Sequence, residues 1–227
     1  MPNIILIPAY KPDQRLISLI KELSKVEYLS MLVINNGNTN QYLNYFESIS
    51  RFKKVSILNL KKNKGKGFGL KKGLEHIHLN YKNYENIIFA DADGQHLTED
   101  ICKLVLNLQS RKERNILLIG NRQHNRFTPK KNLIANKLFN FFFKKKNNIT
   151  INDALCGLRA IKKNDIHLCT RLKYNDFRYE IEMILAFQKN NLIIDEEIIQ
   201  SIYFRGTKST LSFLDVLKIT QILFFFK

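Results

Sequence analysis

The sequence predicts an α/β fold in which a mostly parallel sheet is covered by helices on both faces. Short apolar runs that suit buried strands alternate with segments of about ten to fifteen residues whose apolar positions recur at helical spacing. This alternation is typical of βαβ units, whose crossover helices cover the sheet. No linker, internal repeat or low-complexity segment interrupts it, so we expect residues 1–227 to form a single domain.

The elements of the first half follow in order along the chain. Apolar runs predict strands at 3–8, 31–34, 55–60, 86–90 and 116–119. Helices are predicted after Pro12-Asp13, at 39–50, at 67–79 and from a cap at Thr98. The carboxyl ends of parallel strands meet at one edge of a sheet, where ligands bind. The loops 9–11, 35–38 and 91–96 should therefore lie together.

The pattern changes after residue 119. Residues 133–146 combine an apolar surface with a basic end, and a polar loop at 153–159 leads into a strand at 158–161. A helix is predicted at 178–189 and a strand at 192–199. The last apolar segment, 211–227, contains Asp215 and Lys218. We expect either 133–146 or this last segment to lie on a membrane surface, with packing into the core as the alternative.

The charge of the chain indicates an anionic partner. There are 37 Lys and Arg residues against 20 Asp and Glu, a formal net charge of +17. The excess is concentrated in residues 51–75, with nine basic residues and one acid, and in 111–146, with eleven and one. A nucleic-acid-binding protein is one hypothesis, but no module signature such as an RRM or KH motif accompanies the charge. Nucleic acid is therefore not the expected partner.

Cysteine usage and hydropathy favour a cytoplasmic protein. Three cysteines without metal-ligand spacing do not suggest a disulfide framework. Met1 leads almost directly into an apolar strand, so we expect no signal peptide. No run approaches the roughly 20 apolar residues that cross a bilayer. Together with the basic segments, this predicts a peripheral protein on the inner face of the cell membrane.

Two aspartates give the sharpest chemical signal. Asp91 and Asp93 follow the apolar strand 86–90 directly, and two carboxylates there can coordinate a hard divalent cation. His96, close by, could be a further metal ligand or face solvent, and we expect it to face solvent. The loop 63–67 (NKGKG) precedes a helix and could approach an anion through its backbone N–H groups. It is not a Walker loop, and by itself it is weak evidence.

Seven segments, in order, resemble the motifs of family 2 glycosyltransferases, particularly the dolichyl- and polyprenyl-phosphate sugar transferases. They are 7–10 (IPAY), 63–67 (NKGKG), 91–95 (DADGQ), 120–122 (GNR), 153–159 (DALCGLR), 179–182 (YEIE) and 203–209 (YFRGTKS). The resemblance covers roughly residues 3–215. It implies the GT-A fold of nucleotide-diphospho-sugar transferases. It also implies an inverting transfer of sugar from a nucleoside-diphosphate sugar to a polyprenyl-phosphate or glycan acceptor.

The resemblance also implies roles for individual residues. Asp91, Asp93 and Gln95 would hold Mg²⁺ or Mn²⁺. Asp153 would be a general base or would position the acceptor, and Arg122 and Arg159 would supply positive charge. Glu180 and Glu182 could instead belong to a structural ion-pair network. The residues that would bind the donor are Pro8, Tyr10, Asn35, Asn36, Lys66, Asp91, Arg205, Lys208 and Ser209.

The chain departs from the family pattern after the second strand. Asn35-Asn36 stands where an acidic pair is usual, which keeps hydrogen-bonding capacity but removes negative charge. A catalytically inactive relative is therefore an alternative hypothesis. A sugar-phosphate nucleotidyltransferase is a second enzymatic alternative, but residues 9–15 (AYKPDQR) lack the glycine-rich loop it would need.

Overall fold

The structure is a computed structural model, and it describes residues 3–123, 128–147, 149–200 and 213–225. Three of the predicted donor-binding residues, Arg205, Lys208 and Ser209, lie outside the described residues.

A seven-stranded sheet forms the centre of the described structure, in the order β3-β2-β1-β4-β6-β5-β7. Its strands are β1 (Asn3–Ala9), β2 (Leu29–Asn36), β3 (Val55–Leu60), β4 (Asn86–Phe89), β5 (Ile116–Gln123), β6 (Arg159–Lys162) and β7 (Ile193–Gln200). Only β6 among them is antiparallel to its neighbours, β4 and β5. The predicted mostly parallel α/β fold is confirmed.

Helices connect the strands and cover the sheet. The described α-helices are α1 (Gln14–Leu23), α2 (Leu43–Ser50), α3 (Lys66–Asn80), α4 (Thr98–Ser110), α5 (Lys130–Phe142), α6 (Ile166–Thr170), α7 (Arg178–Lys189) and α8 (Phe213–Phe225). A single π-helical turn, Phe143–Asn147, extends α5. Helix α1 contacts α2 and α4, whereas α3 contacts α6 and α7 and α7 contacts α8. These two groups form the outer layers of the domain.

The central strands are buried because both of their faces are covered by helices. The side chains of β1 and β4 are almost entirely inaccessible, as expected for apolar runs in a covered parallel sheet. Helix α1 places Leu16, Leu19, Ile20 and Leu23 in the core. Asp13 caps this helix by accepting a hydrogen bond from the Arg15 N–H at 2.9 Å.

The structure adjusts several predicted boundaries. Strand β2 continues through Asn36, so the first two residues of the expected turn are still paired with β3. Thr98 is the first residue of α4, and Leu97 occupies the cap position without a side-chain hydrogen bond. The predicted cap at Thr98 is therefore wrong by one residue, because the polar side chain lies inside the first turn.

The last described helix packs against the domain. Helix α8 contacts α7 and α5, and Ile219 and Ile222 are buried, while Leu217 is exposed. One face of this apolar segment is therefore used in packing, which was the alternative to membrane contact. Of the helices within the described residues, none combines the length and apolar character needed to span a bilayer.

The reversed direction of β6 decides which loops meet. Because β6 is antiparallel, its first residue lies at the edge where β1, β2, β4 and β5 end. Arg159 pairs with Phe89 of β4 and Ile119 of β5 in the sheet register. The loop 153–158 before it therefore reaches the same edge as Asp91.

Candidate active site

A cleft of about 450 Å³ lies at the carboxyl edge of the sheet. Its lining includes Pro8 and Tyr10 from the end of β1, Asn36 from β2, and Asp91 and Asp93 after β4. The Asn38 side-chain amide donates to the carbonyl of Ala9 at 2.8 Å, which joins the first two loops directly. The predicted convergence of the loops after β1, β2 and β4 is confirmed.

Lys66 lies at the centre of the site and joins two carboxylates. Its Nζ is 2.5 Å from Asp91 Oδ1 and 2.9 Å from Glu180 Oε1. Asp91 follows β4, Lys66 begins α3 and Glu180 lies in the first turn of α7. One ammonium group therefore holds three elements that are far apart in sequence.

These contacts set the protonation states. Burial would raise the pKa of Asp91, but the Lys66 ammonium and the His96 ring hold that pKa well below its usual range. Burial would lower the pKa of Lys66, but Asp91 and Glu180 raise it above its ordinary value. Burial and the negative charge of Asp91 raise the pKa of Asp93. Asp91 is therefore ionised at neutral pH, and Lys66 is charged.

His96 does not face solvent, so that expectation is wrong. Its ring is buried, and Nε2 lies 3.5 Å from Asp91 Oδ2. This distance is too long for a strong hydrogen bond. Both ring nitrogens are buried without a hydrogen-bond partner among the described residues.

Gly157 explains how tightly the Asp91–Lys66 pair is enclosed. A Cβ atom at this position would lie 2.3 Å from Asp91 Oδ2 and 2.9 Å from Lys66 Nζ. Both distances are far below van der Waals contact, so any side chain here would displace the ion pair. Gly157 belongs to the loop that β6 brings to the site, and a larger residue fits there only if the ends of the Asp91 and Lys66 side chains move.

Close packing also explains the glycine at position 65 of the NKGKG loop. Gly65 has a φ of 107°, and a Cβ there would lie 2.3 Å from the Asn175 carbonyl oxygen. The Phe68 N–H donates to the same oxygen at 2.9 Å. One of the N–H groups at the start of α3 is therefore used by the protein itself, whereas the Lys66 side chain lines the cleft.

A second, much smaller cavity of about 50 Å³ adjoins the cleft. The two cavities share Lys66, Asp91, Asp93 and Phe177 in their walls. The second is completed by residues of several elements: Gln95, Arg122, Asn132, Ala154, Leu155, Glu180, Ile181 and Ile219. Two ligands bound in these cavities would therefore meet beside the aspartate pair.

Arg122 and Asp153 form a buried ion pair. Asp153 Oδ2 accepts from Arg122 Nε at 2.6 Å, and Oδ1 accepts from Arg122 Nη2 at 2.8 Å and from the Asn136 amide at 2.6 Å. Despite its burial, the Arg122 charge keeps the pKa of Asp153 below its usual value. Both carboxylate oxygens are occupied, so this geometry favours a positioning role for Asp153 over proton abstraction.

Arg159 is directed at carbonyl groups of the protein. Nε and Nη2 donate to the carbonyls of Cys156 at 3.0 Å and Ala154 at 2.9 Å, and Nη1 donates to that of Glu180. The side chain is fully buried and does not belong to the described lining of either cavity. Its observed contacts join the 154–158 loop to α7, which differs from the expected role as a charge facing the substrate.

The asparagines after β2 form a neutral network. Asn35 donates to Asn59 Oδ1 at 2.9 Å and accepts from the Asn38 amide at 2.7 Å. Asn36 Nδ2 donates to the Gly65 carbonyl at 3.1 Å, while its buried Oδ1 has no partner among the described residues. Asn36 lines the cleft, but its Oδ1 is inaccessible there, so the observed contacts of both asparagines mainly hold the loops together.

The residues of the site fit a divalent cation. Asp91 and Asp93 line both cavities, so their two carboxylates face any ligand bound at the junction. A negatively charged diphosphate would be repelled from such a site unless a cation lay between them. No cluster of three or more metal-ligating His, Cys, Asp or Glu side chains occurs in the described part of the chain. Part of the coordination shell would therefore come from ligand oxygens or water.

Glu180 is the residue whose importance the sequence left most open. The YEIE segment offered two glutamates, and only the structure shows that Glu180 contacts Lys66. Glu182 instead accepts from the N–H groups of Lys173 at 2.8 Å and Tyr174 at 2.9 Å, outside the cavity. No sequence signal indicated Phe177 or Asn132, which enter the site only through packing.

Comparison with models of known protein families finds a match over most of the chain. The model of glycosyl transferase family 2 matches residues 4–170. A UDP-N-acetylglucosamine–dolichyl-phosphate N-acetylglucosaminyltransferase of Methanococcus voltae is 24% identical, over 92% of this chain and 91% of its own. A dolichyl-phosphate β-glucosyltransferase of Drosophila melanogaster is 25% identical, over 91% of this chain and 68% of its own.

Solved structures show the same fold at lower identity. Glucosyl-3-phosphoglycerate synthase from Mycobacterium tuberculosis, crystallised with Mn²⁺, UDP-glucose and phosphoglyceric acid, superimposes with a TM-score of 0.69. It is 16% identical, and the match covers 98% of this chain and 78% of that one. At this identity the likeness concerns the GT-A fold alone.

Proposed function

Because the chain belongs to glycosyl transferase family 2, we propose that it transfers a sugar from a nucleoside-diphosphate sugar to a polyprenyl phosphate, inverting the anomeric carbon. The observation that carries this proposal is the pair of cavities that meet at Asp91 and Asp93. The larger cleft takes the nucleoside diphosphate, and the second cavity takes the acceptor. Dolichyl-phosphate transferases among the relatives support the lipid acceptor over a glycan.

Asp91, Asp93 and Gln95 would hold Mg²⁺ or Mn²⁺ at the junction of the cavities. When bound, the ion stabilises the negative charge that grows on the departing nucleoside diphosphate. Asp91 is held ionised by Lys66, and the cation would relieve the repulsion that raises the pKa of Asp93. The ammonium of Lys66 adds positive charge on the same side of the site.

The remaining groups orient the reactants. Pro8, Tyr10 and Asn36 line the cleft, where they would border the nucleoside of the donor. In the second cavity, Arg122 would face the acceptor phosphate, with its orientation fixed by Asp153. An ionised phosphate needs no base, which agrees with the enclosed position of Asp153.

A lipid-linked acceptor places the protein at a bilayer, and we propose that it is peripheral on the inner face of the cell membrane. The donor-binding roles of Arg205, Lys208 and Ser209 remain predictions from the resemblance. The donor-binding role of Asn35 remains a prediction as well, and its contacts with Asn59 and Asn38 favour an indirect role.

A donor screen tests the activity. Release of nucleoside diphosphate would be measured for UDP-, GDP- and dTDP-sugars, with a short water-soluble polyprenyl phosphate, with and without Mn²⁺. We expect metal-dependent release with one nucleotide class, and release that requires the acceptor. Turnover on no donor would favour the inactive relative, and turnover only on a free glycan would refute the lipid acceptor.

Asp93→Asn tests the metal site. We expect turnover to fall by at least about a hundredfold, in line with roughly 3 kcal/mol of lost transition-state stabilisation. Mn²⁺ binding, followed by calorimetry, should weaken as well. Asp195→Asn is the matched control, because Asp195 pairs with Arg111 away from both cavities. Unchanged Mn²⁺ binding in Asp93→Asn would remove Asp93 from the site.

A further inference from the structure

Helix α5 carries an apolar stripe on its exposed side. Ile134, Leu138 and Phe141 are 66%, 38% and 57% exposed, and their spacing of four and three residues places them on one face. The opposite face is fixed to the domain, because Ala135, Asn136 and Phe139 are buried. The exposure of the stripe is therefore a property of the folded protein and not of a loose helix.

Lysines surround this stripe. Lys130, Lys131 and Lys137 are exposed on α5, and Lys144 and Lys145 are exposed in the π-helical turn that follows. Residues 128–147 contain no Asp or Glu, and no described carboxylate pairs with any of these five lysines. The Lys145 ammonium lies 5.7 Å from the centroid of the Phe141 ring, so charge and apolar surface are adjacent.

We propose that this face, Ile134, Leu138 and Phe141 with the five lysines, is the surface by which the protein docks on an anionic phospholipid membrane. Apolar side chains entering the acyl boundary and lysines at the headgroups are the two components of interfacial binding. A nucleic acid would match the charge but would leave the apolar stripe without a partner. The inference rests on the proposed function for its purpose, since a lipid-linked acceptor requires a bilayer.

The position of α5 connects the membrane to the site. Asn132, in the first turn of α5, lines the second cavity, and Asn136 donates to Asp153. Docking through the opposite face of the same helix would hold the acceptor cavity one helix diameter, roughly 10 Å, from the headgroup layer. A lipid phosphate could then enter the cavity while its chain stays in the bilayer.

Vesicle co-sedimentation of the full chain, without donor or acceptor, tests the surface. The vesicles are phosphatidylcholine alone or with about one third phosphatidylglycerol, at low and high salt. We expect binding to the anionic vesicles that weakens with salt. The variant Ile134→Ser/Leu138→Ser/Phe141→Ser should bind at least about tenfold more weakly, because it loses the apolar component. The variant Lys137→Gln/Lys144→Gln/Lys145→Gln should lose most of the salt-sensitive part.

A matched control removes three apolar side chains from other faces: Leu79→Ser/Leu106→Ser/Ile198→Ser, whose positions are 77%, 58% and 59% exposed. It should bind like the wild type. The proposal is overturned if the wild-type chain stays unbound at low salt, or if this control weakens binding equally. A light-scattering dimer that the α5 variant converts to monomer, without vesicle binding, would instead assign the face to a second copy.

The docking surface and the proposed activity can be refuted independently of each other. The α5 variants should keep wild-type turnover with the water-soluble acceptor and wild-type thermal stability, because the substituted side chains are exposed. Vesicle binding without any transferase activity would refute the proposed function and leave the docking surface intact. Transferase activity without vesicle binding by the wild type would refute the docking surface and leave the proposed function intact.

Discussion

Replacing Asp153 by asparagine separates a positioning role from a catalytic base. The side chain is completely buried, and four hydrogen bonds occupy its two oxygens, three from Arg122 and one from Asn136. Asparagine keeps the shape but removes the charge, so the Arg122 guanidinium is left buried without its counter-ion. Removing one partner of a buried ion pair costs about 3–5 kcal/mol. We expect the free energy of unfolding of Asp153→Asn to fall by that amount.

The pH dependence of stability gives the same test a second measurement. Because Arg122 lowers the pKa of Asp153 in the folded state, the pair stabilises the protein above the unfolded-state pKa of about 3.9. This stabilisation is lost as the pH falls through the lower, folded-state pKa. Asp153→Asn should therefore lose less stability on acidification than the wild type, in urea denaturation at pH 7 and at steps below pH 5.

A double-mutant cycle with Arg122→Gln completes the design. Removing both charges should recover part of the lost free energy of unfolding, so the effects of the two substitutions on stability should not be additive. Asp195→Asn, at a partly exposed pair, should change stability by less than about 1 kcal/mol. The reasoning is refuted if Asp153→Asn unfolds like the wild type while its pH–rate profile loses an acidic limb. That combination would identify a proton-accepting carboxylate.

Two further substitutions test the loop that β6 brings to the site. In Gly157→Ala the new Cβ would lie 2.3 Å from Asp91 Oδ2 and 2.9 Å from Lys66 Nζ, so the two side chains should be pushed apart. We expect weaker Mn²⁺ binding and a turnover lowered by about a hundredfold. Wild-type Mn²⁺ affinity, measured by calorimetry, would contradict this. Arg159→Met leaves three buried carbonyls without their donors, at about 1–3 kcal/mol each, and should lower the unfolding free energy by at least about 3 kcal/mol. A fully stable Arg159→Met variant with weakened donor binding would show that Arg159 contacts the substrate.

Local patterns were sufficient for most of the fold. Apolar runs and helical periodicity predicted β1, β3 and α7 to within one residue, because strand and helix burial repeat at short, regular spacings. The position of Asp91 and Asp93 directly after a buried strand also predicted their place at the edge of the sheet. Helix α5 was predicted as apolar and basic, but the sequence could not tell which of its apolar residues face outward.

Neighbouring residues were thus enough to predict the α/β class, the order of the elements and the place of the aspartate pair. Long-range packing established that β6 runs antiparallel, that Arg122 pairs with Asp153, and that Lys66 joins Asp91 to Glu180. Lys66 and Glu180 are 114 residues apart, and Arg122 and Asp153 are 31 apart. The charge and exposure of such groups depend on partners brought together by packing, and no local spacing in the chain records them.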